Sequence, residues 1–314
     1  MREINTIMIA GAGTMGASMA ETFAKYNHDV ILYDISEKAL EKAKDLIRIN
    51  QLTEVAEKMI TSEQSCMLLE RIHYSKDMGI MKKADFVIEA IVENMDTKKS
   101  FWKTVSENTE DDVLYASNTS GLSITEIATV IRNPENFVGM HWINPPHIIP
   151  LVEIIKGEET NEEVTKVIYD ICEKVGKKPV IVKNFPGFVL NRISLAILRE
   201  CLNIAEKGIA SIEDIDKVMK YGLGIRYACL GPFEIADHGG LDIFDNIAEY
   251  LFKDLSNAEQ SFYLLKNAVE NGELGIKTGK GFYDYSDGRD KEAIMYRDKM
   301  YTKISKCLFM DEEC

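Results

Sequence analysis

His141 and Glu153 are the two residues of this chain whose types and spacing best suit proton transfer. His141 stands where the apolar run 137–140 ends, and Glu153 lies twelve positions on, alone among apolar residues in LVEII at 151–155. Burying a carboxylate unpaired costs several kcal/mol, so Glu153 needs a cationic or N–H partner. An imidazole on a neighbouring strand would serve. The carboxylate fixes its tautomer and stabilises the imidazolium, while the other ring nitrogen takes a proton from a hydroxyl. A structural His–Glu pair and a strand-edge carboxylate facing water fit the same spacing. Ser120 and Asn118 follow another strand and Asn144 adjoins Pro145 and Pro146, where residue type alone favours capping and turn roles. Asn191, beside Arg192 in an otherwise apolar helix, needs hydrogen-bond partners if buried. His28, His73, His147 and His238 have no clustered carboxylates or cysteines, which argues against metal chemistry.

A second group of residues opens the chain. The apolar run 6–10 meets Gly11, Gly13 and Gly16 in the spacing Gly-x-Gly-x-x-Gly, and Met19, Ala20, Phe23 and Ala24 then recur at helical intervals. This predicts strand, tight turn and helix, with Gly11 for the turn, Gly13 for close backbone approach to a pyrophosphate and Gly16 for helix packing. The free N–H groups of the helix that starts near Thr14 and Met15 would hold the phosphates. A second apolar run, 30–33, ends in Asp34, about where a dinucleotide fold places its ribose-binding acid. Asp34 would repel a 2′-phosphate and no Lys or Arg follows until Lys38, so the cofactor expected is NAD and not NADP.

The elements that must position these residues follow in order. Ser36 is a good N-cap for a helix from about Glu37, and helical patterning continues to about Ile72, read as an inserted hairpin turning near Thr61 and Ser62. Strands are expected at 86–90, 113–116, 137–140, 151–155 and 180–182, with a capping box from Thr160 to Glu163 opening the helix between the last two. Alternating strands and helices imply a Rossmann-type α/β fold with a mostly parallel, doubly wound sheet. Past Asn184 the pattern is helical, with a stop at Gly208, a cap at Ser211 and a strand signal only at 281–283; the polar tail from Asp284 reads as a loop and a helix. The expected domains are therefore 1–184, binding NAD, and 185–314, all-α.

Composition narrows the function classes. At 314 residues the chain is about two domains long. A net charge of −14 argues against nucleic acid or an anionic membrane as partner. Six scattered cysteines without Cys-x-x-Cys read as reduced thiols of a cytoplasmic protein. The first strand lies close to Met1, leaving no room for a signal peptide, and no apolar run approaches ~18 residues, so no membrane span is expected.

Taken together these residues resemble the 3-hydroxyacyl-CoA dehydrogenases over nearly the whole chain. The resemblance is carried by GAGTMG at 11–16, EAIVEN at 89–94, SNTS at 117–120, GMHWINP at 139–145, LVE at 151–153, PGFVLNR at 186–192, GPFE at 231–234 and KTGKGFY at 277–283. It implies an NAD-dependent oxidoreductase acting on the 3-hydroxyl of an (S)-3-hydroxyacyl-CoA, with His141 as general base and Glu153 as its orienting partner. Ser120 and Asn191 would hydrogen-bond the reacting oxygens of the substrate. Glu93, Lys98, Ser120, Asn144 and Lys277 would lie near the cofactor, with Asp34 on the ribose, and Lys58 would contact CoA. The family also implies a homodimer formed through the helical domain. Two departures bear on the substrate. Pro150 stands where the family commonly has lysine, and the segment 222–231, with Arg226, is longer and similar to relatives that oxidise free hydroxy acids, such as gulonate or carnitine dehydrogenases. A free 3-hydroxy acid paired to Arg226 is thus the alternative substrate, and a dinucleotide-binding sensor the non-enzyme alternative.

Overall fold

The computed structural model describes residues 4–56, 58 and 60–309. Two compact units divide between Asn191 and Arg192. The first is built on eight strands: β1 (Thr6–Ala10), β2 (Asp29–Tyr33), β3 (Ile72–Ser75), β4 (Phe86–Glu89), β5 (Leu114–Ser117), β6 (Phe137–Trp142), β7 (Leu151–Lys156) and β8 (Lys178–Lys183). Their order is β3-β2-β1-β4-β5-β6-β7-β8. Every neighbouring pair is parallel except β6 with β7. The helices of this unit are α1 (Thr14–Lys25), α2 (Glu37–Ala56), α3 (Ser62–Glu70), α4 (Met95–Asn108), α5 (Ile124–Ala128) and α6 (Glu162–Lys174).

Period-2 alternation explains why helices cover both faces of the sheet. Ile7 and Ile9 of β1 join an apolar layer with Met19 and Phe23 of α1 and Ile168 of α6. Met8 and Ala10 point the other way, into a layer with Trp102 and Val105 of α4 and Ile127 of α5. The expected α/β class therefore holds, with a mostly parallel doubly wound sheet and an all-α unit after it.

Three local expectations are corrected. Helical patterning does not run on to Ile72. It stops at Glu70, and Ile72–Ser75 pairs with β2 as an edge strand. Four residues with only Ile72 buried carry too little alternation to stand out beside a charged helix pair. The N-cap of α6 is Asn161, whose side chain accepts from Glu163 N at 2.8 Å. Thr160 instead donates to Phe137 O at 2.6 Å, joining the helix start to β6. At 281–283 no strand forms; Lys280 makes isolated bridges to Gly275 and Asp284. Ser36 does accept from Ala39 N at the start of α2, and Thr61 with Gln64 closes a capping box on α3.

α7 (Leu190–Glu206) leaves the first unit, and the second continues with α8 (Ile212–Val218), α9 (Ile225–Cys229), α10 (Pro232–Gly239), α11 (Leu241–Leu251), α12 (Tyr263–Glu270) and α13 (Arg289–Phe309). Ser211 caps α8 through Asp214 N at 3.1 Å, as its position implied. Cys66, Cys172, Cys201 and Cys229 are free thiols, whereas Cys307 is disulfide-bonded, so reading all six cysteines as reduced is corrected there. Among the described residues no helix is long and apolar enough to cross a membrane.

Candidate active site

The C-terminal ends of β1, β4, β5 and β6 form one edge of the sheet, where open α/β folds place ligands. At β1 the three glycines do different work. Gly11 sits at φ +106°, and a Cβ there would lie 2.4 Å from Ala90 O. A Cβ on Gly16 would lie 1.8 Å from Gly11 O, so only glycine lets α1 approach the turn. Gly13 is exposed and a Cβ on it would meet nothing within 4 Å, which leaves open space where a pyrophosphate needs the backbone bare. Gly13 is also the N-cap of α1 and supplies no side-chain acceptor, so the first N–H groups of the helix, at Thr14 and Met15, stay available to an anion. Asp34, at the end of β2, accepts from Ala12 N and Ser36 N, both at 2.8 Å. Each carboxylate oxygen takes one of these bonds and retains a lone pair for a ribose hydroxyl. These residues fit NAD.

At β6 the antiparallel register places His141 directly opposite Glu153. His141 Nδ1 and Glu153 Oε2 are 2.8 Å apart and both side chains are buried. The second oxygen, Oε1, accepts from Val189 N at 3.0 Å and Leu190 N at 2.9 Å, the entry to α7. Burial pushes the Glu153 carboxyl upward, but the hydrogen bonds from His141, Leu190 and Val189, with the charge of His141, outweigh it and hold the group below the usual carboxylate range. The backbone is bent to make this possible. Gly187 lies at φ +77° and Phe188, a residue that pays a steric cost there, at φ +49°. Phe188 is buried with its ring centroid 5.7 Å from that of His141.

At β4 and β5 a chain of polar contacts ends on Ser120. Glu89 is fully buried and accepts from Ser117 Oγ at 2.7 Å, Trp102 Nε1 at 3.2 Å and Lys98 Nζ. Lys98, also fully buried, reaches Glu93 at 3.3 Å as well. Glu93 in turn accepts from Thr119 Oγ1 at 2.6 Å and Ser120 N at 2.9 Å. Asn191 Nδ2 donates to Ser120 O at 2.6 Å, and Asn118 Oδ1 accepts from Trp142 N at 2.8 Å. His141, Glu153, Ser120, Asn191, Glu93, Lys98 and Asn144 are thus all set at or just behind the strand ends, with Asn144 exposed before a cis bond to Pro145. Lys98 differs from the rest, since its ammonium is enclosed by two carboxylates.

The remaining sequence candidates lie elsewhere. Lys58 is exposed between α2 and α3 at φ +57°. Arg226, on α9, and Lys277, in the 3₁₀ turn Ile276–Thr278, are exposed residues of the second unit. Glu89, Thr119, Phe188 and Lys177 were not singled out from the sequence. Glu89 carried a usable signal, being a lone carboxylate in an apolar strand like Glu153. Phe188 and Lys177 carried none.

Comparison with known proteins gives the family. Residues 6–185 match the NAD binding domain of 3-hydroxyacyl-CoA dehydrogenase and residues 187–285 its C-terminal domain. The chain belongs to the 3-hydroxyacyl-CoA dehydrogenase family and is an NAD-dependent oxidoreductase. It is 40% identical over 287 residues to the probable 3-hydroxybutyryl-CoA dehydrogenase of Bacillus subtilis strain 168, covering 91% of this chain and 99% of the relative. It is 34% identical over 307 residues to 5-formyl-3-hydroxy-2-methylpyridine 4-carboxylate 5-dehydrogenase of Mesorhizobium japonicum, covering 97% and 98%. Among solved structures, a 5-dehydrogenase of that same pyridine carboxylic acid, described as an NAD+ dependent dismutase, aligns with a TM-score of 0.89 at 33% identity over 98% of this chain and 99% of that one. The (S)-3-hydroxybutyryl-CoA dehydrogenase of Ralstonia eutropha aligns with a TM-score of 0.77 at 34% identity over 91% and 100%.

Proposed function

We propose that this protein oxidises the 3-hydroxyl of an (S)-3-hydroxyacyl-CoA, such as 3-hydroxybutyryl-CoA, to the 3-oxoacyl-CoA, and catalyses the reverse. The observation that carries the reading is the buried His141–Glu153 pair at the ligand edge of the sheet. With its Nδ1 proton held by Glu153, His141 presents Nε2 as an acceptor to the substrate hydroxyl and takes its proton. Glu153 stabilises the imidazolium that results. Ser120 and Asn191, joined to each other through Ser120 O, hydrogen-bond the reacting oxygen. Bound NAD supplies the hydride acceptor. The turn at Gly11–Gly13, the start of α1 and Asp34 hold its phosphates and ribose. Domain 1–184 is the NAD-binding part and 185–314 the substrate and dimerisation part. In α11, Leu241, Phe244, Ile247 and Leu251 recur at helical spacing and are exposed, an apolar stripe that a second copy of the chain would cover.

A free hydroxy acid is the second candidate substrate. The alignment with a dehydrogenase of a pyridine carboxylic acid runs nearly end to end, at 98% of this chain, against 91% for the Ralstonia CoA enzyme. Under that reading Arg226 pairs with the carboxylate of a free hydroxy acid. The test is NADH oxidation at 340 nm with acetoacetyl-CoA and, in parallel, with free 3-oxo acids. Turnover with the thioester alone supports the CoA substrate, and turnover with free acids alone replaces it. Tight NADH binding without turnover of either would reduce the protein to a dinucleotide sensor.

A further inference from the structure

Lys177 lies between α6 and β8 with its side chain buried. Its Nζ donates to Pro146 O at 2.5 Å and to Ile149 O at 3.1 Å. The same ammonium stands 4.8 Å from the centroid of the Trp142 ring. Among the described residues no carboxylate pairs with it. A buried cation held only by carbonyl dipoles and an aromatic face is costly, so its placement calls for a reason.

The loop it holds supplies that reason. Residues 143–150 reverse the chain between β6, which ends one residue past His141, and β7, which carries Glu153. Pro145, Pro146 and Pro150 bring no N–H to the loop. Ile148 N and Ile149 N are both spent on Pro145 O, at 3.0 and 2.9 Å. The carbonyls of Pro146 and Ile149 find a donor outside the loop, and one ammonium serves both. On the other side of Lys177, Lys178 N bonds Pro150 O at 2.8 Å, and Trp142 packs against Phe23 of α1 with centroids 5.7 Å apart.

We propose that Lys177 is a positioning residue, whose ammonium sets the course of the 143–150 loop and thereby the placement of Asn144 and His141 at the ligand edge. This rests on the reading of that edge as the site of NAD and substrate. Burial pushes the lysine down to about 8, and the ionisable neighbour acting on it is the Cys172 thiol of α6, itself pushed up to about 12 by burial. His147, in the loop itself, is exposed. Loss of the charge near that value weakens the charge-assisted bonds to both carbonyls and the contact with the Trp142 ring.

The experiment uses the full chain and reads NADH affinity by fluorescence, with no substrate present, so it is independent of which hydroxy compound is oxidised. Wild-type protein, Lys177→Met and Lys177→Arg are titrated from pH 6.5 to 9.5, with Trp emission recorded alongside. Expected at pH 7 is at least a fivefold loss of NADH affinity in Lys177→Met, with Lys177→Arg within threefold of wild type. Wild-type Trp emission should titrate near pH 8 and that step should vanish in Lys177→Met. Lys177→Met that is folded and binds NADH within twofold of wild type overturns the proposal. Should that variant not fold, the wild-type series decides: emission and NADH affinity unchanged between pH 7 and 9 overturn it, and a joint step near pH 8 supports it. Absence of NADH binding in wild type would instead overturn the reading of the site itself.

Discussion

Replacing Glu153 by Gln tests the proposed proton path more sharply than truncating it, because shape is kept and only charge and donor–acceptor polarity change. The carboxylate accepts on both oxygens: Oε2 from His141, Oε1 from Val189 N and Leu190 N. An amide has one acceptor oxygen. Turned toward α7 it keeps two backbone bonds, and turned toward His141 it keeps one and leaves its NH2 facing two N–H donors, so the first orientation wins. The NH2 then donates to Nδ1, the ring proton moves to Nε2, and the nitrogen facing the substrate can no longer accept a proton. An acid-to-amide swap behind a catalytic imidazole in a hydrolytic triad lowers turnover about 10⁴-fold. A loss of ~10²- to 10⁴-fold in kcat is expected for Glu153→Gln, with NADH affinity within a few-fold of wild type. Converting three charge-assisted bonds to neutral ones, or losing them, also costs about 2–4 kcal/mol of stability. That stability is present above the ordinary carboxylate range. It is lost as pH falls through the depressed folded value, so wild type and variant should converge toward acid. Single-turnover NADH oxidation and urea melts measure the two effects separately. A folded Glu153→Gln with kcat within threefold of wild type at pH 7 would refute the tautomer argument.

Three further substitutions have outcomes set by the geometry. Gly13→Ala should fold with an unchanged melting temperature but bind NADH at least tenfold more weakly, since its Cβ enters empty space that the pyrophosphate needs; Gly16→Ala should lose about 3 kcal/mol or more, since its Cβ meets Gly11 O. Calorimetry and NADH titration on both variants check the contrast. Glu21 of α1 is buried, with Asn50 and Gln51 of α2 donating to it at 2.8 and 2.7 Å. Burial, opposed by those bonds, raises its carboxyl to about 7, so the unfolded chain gives up this proton first and stability falls by about 3 kcal/mol as pH rises from 4.5 to 7. Glu21→Gln should flatten that slope in urea melts between pH 5 and 8; an unaltered slope would place the proton elsewhere.

Much of this protein was legible in its order of residues because the controlling interactions are local. The glycine spacing at 11–16 dictates strand, turn and helix, since a Cβ at Gly16 would meet Gly11 O within the same βα unit. Period-2 and helical patterns supplied seven of the eight strands and the change to an all-helical second unit, and β3 was missed because it is short and mostly unburied. Glu153 announced itself by its cost: a carboxylate amid apolar residues has to be paired.

What decides the pairing is long-range. His141 and Glu153 meet through the one antiparallel register of the sheet, and the second oxygen of Glu153 is claimed by backbone 36 and 37 residues away. Lys98 could be taken for a surface cation until Glu89 and Glu93 close around it, and Lys177 had no sequence signal because its partners are carbonyl oxygens and a ring face. Side-chain type and spacing determine which residues must find partners; only the folded sheet, by bringing distant strand ends into register, determines which partners they find.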